Sequence, residues 1–265
     1  MLQSNQQVAK AAAQLLNGAL ANWDVLNGGD LSVVLAIRLD DGRRAVVKSS
    51  PGGVEADMLR TMAQTGAPVP RVLASDETIL VMSVADTGGV LSWRRLGEAV
   101  RQLHSAQGPM AGWHSDYAFG PVTILNGWCD SWPQFWAENR LLPFLPYLPL
   151  DMARRIEALA GALDDRVPKT ATALLHGDLW PGNVLAGPGS VTLVDPACYY
   201  GDGAVDLAML ALFGHPSADF YAAYGAQPDS QRQAVYSLWP ALVHVRLFGD
   251  GYLRMVERCL VSARA

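Results

Sequence analysis

The sequence is poor in cysteine, in positive charge and in long hydrophobic runs, and each shortage closes off a class of protein. Its three cysteines, Cys129, Cys198 and Cys259, lie far apart and form no CxxC pair. That spacing suits neither a zinc site nor a secreted disulfide framework. A net charge of -5 offers no basic face to a phosphate backbone, so nucleic acid is not expected as a partner. No segment reaches the roughly 18 apolar residues of a transmembrane helix. The opening MLQSNQQVAKAAAQLLNGAL lacks the basic start and apolar core of a secretory signal. Like-charge runs, internal repeats and low-complexity tracts are absent too. The expectation is a reduced, cytoplasmic globular protein with no membrane partner. Half of its 265 residues are hydrophobic, enough to bury one large core or two modest ones.

What is present divides into two parts. VAKAAAQLLNGAL suits a short amphipathic helix. LSVVLAIRL and RRAVVKSS flank Asp40-Asp41-Gly42, a strong hairpin signal. VEADMLRTMAQTG repeats apolar residues at Val54, Met58 and Met62 and ends at Gly66, which predicts a helix. VPRVLASDETILVMSVA adds two short strands. From about residue 91 the pattern is mostly helical: WRRLGEAVRQLHSA, SWPQFWAENRLLPFL, DMARRIEALAGALDD, then the stretch after GAVDLAMLALFG running through YSLWPALVHVRLFGDGYLRMVERCL. The reading is an α+β protein of two lobes, a β-rich one over 1–85 and a larger, mostly helical one over 86–265, joined near Ser83–Gly89.

The stretch LLHGDLWPGNVL, Leu174 to Leu185, interrupts the helical part. Asp, Asn, Pro and Gly are turn residues, so the loop alone warrants no more than a turn. SVTLVDP follows as a short strand ending in Asp195. A hairpin folding LWPGNVL back onto VTLVDP would bring Asn183 beside Asp195, two oxygen donors of the kind Mg²⁺ takes. Asp178 would then face a substrate and accept its hydroxyl proton. HGDxxxxN followed by a strand-end Asp is the division of labour of kinase-type phosphoryl transfer: Asp178 as base, Asn183 and Asp195 as metal ligands. The first part supplies the counterpart. Lys48 lies on a strand and Glu55 opens the next helix, as a pair positioning the ATP phosphates requires. In NGGDLS, the glycines Gly28 and Gly29, with Ser32, sit where a loop covering phosphates belongs. Met82, Ser83 and Val84 would form the connector against which adenine stacks.

HGDLWPGN followed by DPACYYGDGAVDLAM resembles the fructosamine (ketosamine) kinase family, a branch of the aminoglycoside and choline kinase-like proteins that share the protein-kinase fold. GGDLS, VVK, VEADML, VPRVL, LVMSVA, LHS and NGWCDSWPQFWAENRLLP extend the resemblance over nearly the whole chain. The resemblance implies a two-lobe kinase-like fold, ATP and Mg²⁺ as cofactors, and the roles just given to Lys48, Glu55, Asp178, Asn183 and Asp195. It further implies that Asp202 and Asp206 shape the large lobe around the loops. The implied acceptor is the 3-hydroxyl of a ketosamine, free or on a lysine side chain. Another acceptor (an aminoglycoside, choline or other metabolite) and a non-catalytic pseudokinase remain open at this point.

The remaining chemistry-bearing residues read more plainly. His176 is expected to bond the loop backbone, and His104 to be a satisfied core histidine. Trp132 and Trp136 fall at i and i+4 on one helix face, a spacing that usually means packing. Trp180, between the base and a metal ligand, is a candidate to touch the acceptor; His244, on the last helical stretch, is expected first as a satisfied core histidine, with contact to the acceptor as its alternative. Asp202 joins them, with capping of the helix that begins near Ala204 as its alternative.

Overall fold

The computed structural model describes residues 4–26, 33–49, 52–227 and 229–265. Helix α1 (Asn5–Leu15) starts with a capping box: Ser4 Oγ accepts from the Gln7 amide while the Gln7 side chain accepts from the Ser4 amide. Strands β1 (Leu20–Leu26), β2 (Val33–Leu39) and β3 (Arg44–Ser49) follow, then α2 (Gly52–Gln64), β4 (Val72–Ser75) and β5 (Ile79–Met82). The strands form one antiparallel sheet in the order β1-β2-β3-β5-β4. The Asp-Gly turn joins β2 to β3 as its chemistry dictates, with Gly42 at φ +88°. The edge strand β1 was not legible in the sequence: its side chains are mostly exposed and lack an apolar alternation.

Period-two alternation decides which side chain meets which partner. One sheet face, with Leu35, Ile37, Ala45, Val47, Ile79 and Val81, buries Val8, Ala9, Ala12 and Ala13 of α1. The other carries Leu80 and Met82 against Ala56 and Leu59 of α2. Lys48, next to Val47, therefore points to the α2 side.

The rest of the chain is mostly helical: α3 (Trp93–His104), the small hairpin β6 (Tyr117–Phe119) and β7 (Val122–Ile124), α4 (Trp132–Trp136) and α5 (Leu150–Gly161). Next come β8 (Ala173–Leu174), the hairpin β9 (Val184–Gly187) and β10 (Ser190–Leu193), and β11 (Tyr200–Gly201) paired with β8. Helices α6 (Ala204–Gly214), α7 (Ala218–Tyr224), α8 (Ser230–Phe248) and α9 (Leu253–Ala263) complete it. The last helical stretch is two helices, broken at Gly249 with φ +85°. SWPQFWAENRLLPFL is irregular: α4 passes into a π turn at Ala137–Leu141 and a 3-10 turn at Leu142–Tyr147, where Pro143 and Pro146 forbid regular bonding.

Trp132 and Trp136 are fully buried in the main core, with Tyr236 and Trp239 of α8. Arg140, in the π turn, is buried with them. Its guanidinium lies 4.3 Å from the Tyr199 ring centroid, 4.8 Å from Phe135 and 4.9 Å from Trp239, and it donates to the Leu125 carbonyl and Asn126 Oδ1. Cation–π contact and the two acceptors together offset the cost of burying the charge. Met58 and Met62 of α2 join this same core, so α2 ties the sheet to the helical body. No helix among the described residues is long and apolar enough to cross a membrane.

Candidate active site

The loop over 175–183 links β8 to β9 and cannot be regular. Gly177 has φ +79°, and a Cβ there would lie 2.0 Å from the Ala197 carbonyl oxygen. That close approach lets the Ala197 amide donate to the His176 carbonyl at 2.8 Å. Asp206, fully buried in the first turn of α6, clamps the loop. Its Oδ2 accepts from the His176 amide at 2.7 Å and its Oδ1 from the Gly177 amide at 2.9 Å. Asp206 Oδ2 also accepts from His104 Nε2 at 3.0 Å, which fixes a proton on that nitrogen, while Nδ1 pairs with the Tyr224 hydroxyl at 3.0 Å. Burial works against ionisation of Asp206, but His104, His176 and the His176 amide hold its carboxyl below the usual range.

His176 is spent on the loop. Nε2–H donates to the Val194 carbonyl at 3.0 Å, and Nδ1 accepts from the Asp178 amide at 3.3 Å. Burial lowers its pKa, so it stays neutral and holds backbone. His104 is likewise satisfied, but as a second support of the 175–183 loop through Asp206, which its sequence context did not reveal.

Asp178 Oδ2 accepts from Asn183 Nδ2 at 2.8 Å, and the same amide nitrogen donates to the Asp178 carbonyl at 2.9 Å. Burial, reinforced by the charges of Asp195 and Asp206, pushes the Asp178 carboxyl up to about 7, against the pull of Asn183 and Lys48. A carboxyl near neutrality is suited to proton transfer. The β9–β10 hairpin sets Val184 opposite Leu193, and the Val194 amide donates to the Asn183 carbonyl at 3.0 Å. Asn183 is thereby brought next to the strand end that carries Asp195, whose φ of 56° is a left-handed conformation that costs a non-glycine residue on the order of 1 kcal/mol.

Lys48 completes the group. Its Nζ lies 3.0 Å from Glu55 Oε1, 2.8 Å from Oε2 and 3.1 Å from Asp195 Oδ1. Lys48 and Glu55 are both buried. Burial alone would favour loss of the lysine proton, but Glu55 and Asp195 raise its pKa above the ordinary value. Tyr117, on β6, stands among the same charges: burial first, then Glu55, raises its pKa, with Asp195 and Asp178 acting in the same direction. No motif marked Tyr117, because a three-residue strand carries no periodic signal.

Among the described residues no group of three or more His, Cys, Asp or Glu side chains could hold a metal ion. Asn183 and Asp195 make a smaller oxygen set. With Asn183 Nδ2 turned to Asp178, its Oδ1 is left as a donor, and Asp195 supplies a carboxylate from the end of the adjoining strand. One amide and one carboxylate oxygen fit Mg²⁺, which takes few protein ligands and completes its shell with water and phosphate.

The other candidate residues lie as follows. Gly28, Gly29 and Ser32 are outside the described residues. Met82 is buried at the end of β5; Ser83 exchanges bonds with Arg71, its amide donating to the Arg71 carbonyl and its Oγ accepting from the Arg71 amide, both at 2.9 Å. Val84 is exposed just beyond. Both Asp202 oxygens are engaged: Oδ1 accepts from the Ala204 amide at 3.0 Å, and Oδ2 from Tyr236 at 2.8 Å and Arg232 at 3.2 Å. Asp202 therefore secures the start of α6 and is not free for an acceptor. Trp180 is 40% exposed on the loop that carries Asp178. His244, on α8, donates from Nδ1 to the Pro240 carbonyl at 2.8 Å.

Known proteins are similar to this chain over most of its length. The model of the fructosamine kinase family matches residues 6–263. A "probable ketoamine kinase" of Synechocystis sp. is 36% identical over 228 residues, covering 78% of this chain and 75% of that protein. One of Thermus thermophilus is 32% identical over 251 residues, covering 90% and 92%. The crystal structure of a "putative fructosamine-3-kinase" from Thermobifida fusca superposes with a TM-score of 0.89 at 29% identity, over 99% of this chain and 100% of that one. A choline kinase from Streptococcus pneumoniae, at 16% identity and a TM-score of 0.68 over 98% of each chain, shares the fold. The chain belongs to the fructosamine kinase family and is a phosphotransferase of the kinase type.

Proposed function

We propose that the protein transfers the γ-phosphoryl group of ATP to a sugar hydroxyl of a ketosamine, the 3-hydroxyl of a fructosamine or ribulosamine, free or lysine-linked. The observation that carries this is the convergence of Lys48, Asp195, Asn183 and Asp178 from three segments of the chain. Lys48, kept charged and aimed by Glu55, neutralises phosphate oxygens. Asn183 and Asp195 would hold Mg²⁺, which when bound shields the phosphate charge. Asp178 orients the acceptor hydroxyl and takes its proton as the new O–P bond forms and the bond to the departing ADP breaks. The Asn183 side chain fixes the Asp178 carboxylate for this, and Asp206 fixes the loop beneath it. Catalysis is then positioning and preorganised charge, with no covalent intermediate on the protein.

The test is Mg²⁺-dependent ADP release from ATP with fructosyl-lysine, ribulosyl-lysine, choline and an aminoglycoside as acceptors. Stimulation by the two ketosamines alone is expected. Stimulation by choline or the aminoglycoside, with none by a ketosamine, would move the acceptor elsewhere within the same chemistry.

A further inference from the structure

The C-terminal end of α8 carries a group of rings that the proposed chemistry leaves unused. The His244 ring stacks on Phe213 at 4.9 Å between centroids, with Tyr252 at 5.0 Å and Phe248 at 5.4 Å. Phe248 is 51% exposed, so the group opens to solvent. Its α6 member, Phe213, lies next to a residue that borders the loop carrying Asp178. Phe213 precedes Gly214, where a Cβ would lie 2.5 Å from Pro181 Cγ; the end of α6 thus abuts the Trp180-Pro181 turn. Arg246, the nearest cation along α8, is taken up on the Tyr147 ring at 3.6 Å.

The polarity of this group is fixed. A carbonyl can only accept, so the 2.8 Å contact to Pro240 places the His244 proton on Nδ1. Nε2 then offers a lone pair, and among the described residues nothing donates to it. Burial lowers the His244 pKa, which keeps that lone pair available near neutral pH. A hydrogen-bond acceptor on a ring packed among three aromatic rings is complementary to a cation that carries an N–H. It is less complementary to a quaternary ammonium, which has no N–H to give, or to an ether, which has neither charge nor proton.

We propose that His244 reads the amine of the acceptor, its Nε2 accepting an N–H from a secondary ammonium while Phe213, Phe248 and Tyr252 flank the charge. This rests on the ketosamine reading above and names the atom that distinguishes a ketosamine from a plain ketose. In a ketosamine the amine stands two carbons from the carbon that bears the 3-hydroxyl, so the group that recognises it must border the catalytic turn. The ring cluster adjoins it through Phe213.

The experiment compares three acceptors with the purified protein, ATP and Mg²⁺: fructosyl-lysine, its N,N-dimethyl quaternary analogue, and the ether with oxygen in place of the amine. Values of kcat and KM are measured for wild type, His244→Phe and Phe248→Leu. Wild type is expected to favour the secondary amine over the ether by about thirtyfold in kcat/KM, the scale of a charge-assisted hydrogen bond. His244→Phe should raise KM for the secondary amine by about that factor, with kcat and the KM for ATP changed by less than about threefold. Phe248→Leu should weaken both charged acceptors and leave the ether alone. A wild-type enzyme that does not distinguish amine from ether overturns the inference without recourse to any variant. So does a His244→Phe enzyme with unaltered selectivity. Absence of turnover with every ketosamine would instead remove the ketosamine reading, and this inference with it.

Discussion

Asp178 is the residue whose environment says most about its task. Its carboxyl is raised to about 7 by burial and by the neighbouring Asp195 and Asp206, and a base, the role proposed for it, works only when deprotonated. Activity should therefore fall as pH drops through about 7, and kcat/KM plotted against pH should show one ionisation there. A profile flat between pH 5.5 and 8 would mean that Asp178 does not titrate in the working range. The same shift has a sign for stability. The folded state holds the Asp178 proton more tightly than the unfolded chain does, so ionising it costs stability as pH rises from about 4 to about 7, and above that the cost is complete. Asp178→Asn carries no such cost. At pH 8 it should be more stable than wild type by on the order of 2 kcal/mol, and unfold at a higher temperature, while losing turnover; equal or lower stability would contradict the raised pKa.

Elements rather than single residues give the loop its shape, and here the sequence was uneven. The hairpin that returns Asn183 to Asp195 was legible because two short, mostly apolar runs, NVLA and VTLV, flank a Gly-Pro-Gly turn. The Lys48–Glu55 pair was legible because strand alternation and a helix start fix both directions. The clamp was only half legible: Asp206 could be assigned to shaping the loop, but His104 and Tyr224 reach it from α3 and α7, and no local pattern encodes a contact across 102 positions. Tyr117 and the β6–β7 hairpin left no signal, since three-residue strands have no measurable period. Gly177 tests how far the clamp depends on backbone approach. Gly177→Ala should cost about 2 kcal/mol or more and at least tenfold in kcat, because the added methyl meets the Ala197 carbonyl. The π turn makes a separate prediction. Arg140→Ala removes a buried guanidinium from three rings and strands the Leu125 and Asn126 oxygens, for a loss of about 3 kcal/mol by chemical denaturation. A loss under 1 kcal/mol would mean that the rings close around the gap.

At the scale of the molecule, the sheet and the helical body each bring half of the proposed site. The sheet contributes Lys48, α2 contributes Glu55, and the loops of the helical body contribute Asp178, Asn183 and Asp195. This division was readable from the order of periodicities along the chain, period two first and helical period after. The aromatic setting of Arg140 and of His244 was not, because it depends on which helices cross. A nucleotide bound between the two parts should tie them together. ATP at a hundredfold excess over its Kd, with Mg²⁺, is expected to stabilise the fold by about 2.7 kcal/mol, and chelating the metal should remove most of the gain. Stabilisation undiminished by chelation would mean that Asn183 and Asp195 hold no metal. The central claim is that Asp178 is the base of a phosphoryl transfer to a ketosamine hydroxyl. It is tested most directly by single-turnover transfer from γ-³²P-labelled ATP to fructosyl-lysine, wild type beside Asp178→Asn, with ATP affinity measured on both. The account predicts labelled sugar phosphate from wild type, a rate at least about a thousandfold lower in the variant, and equal ATP binding in the two. Transfer by Asp178→Asn at the wild-type rate would contradict it.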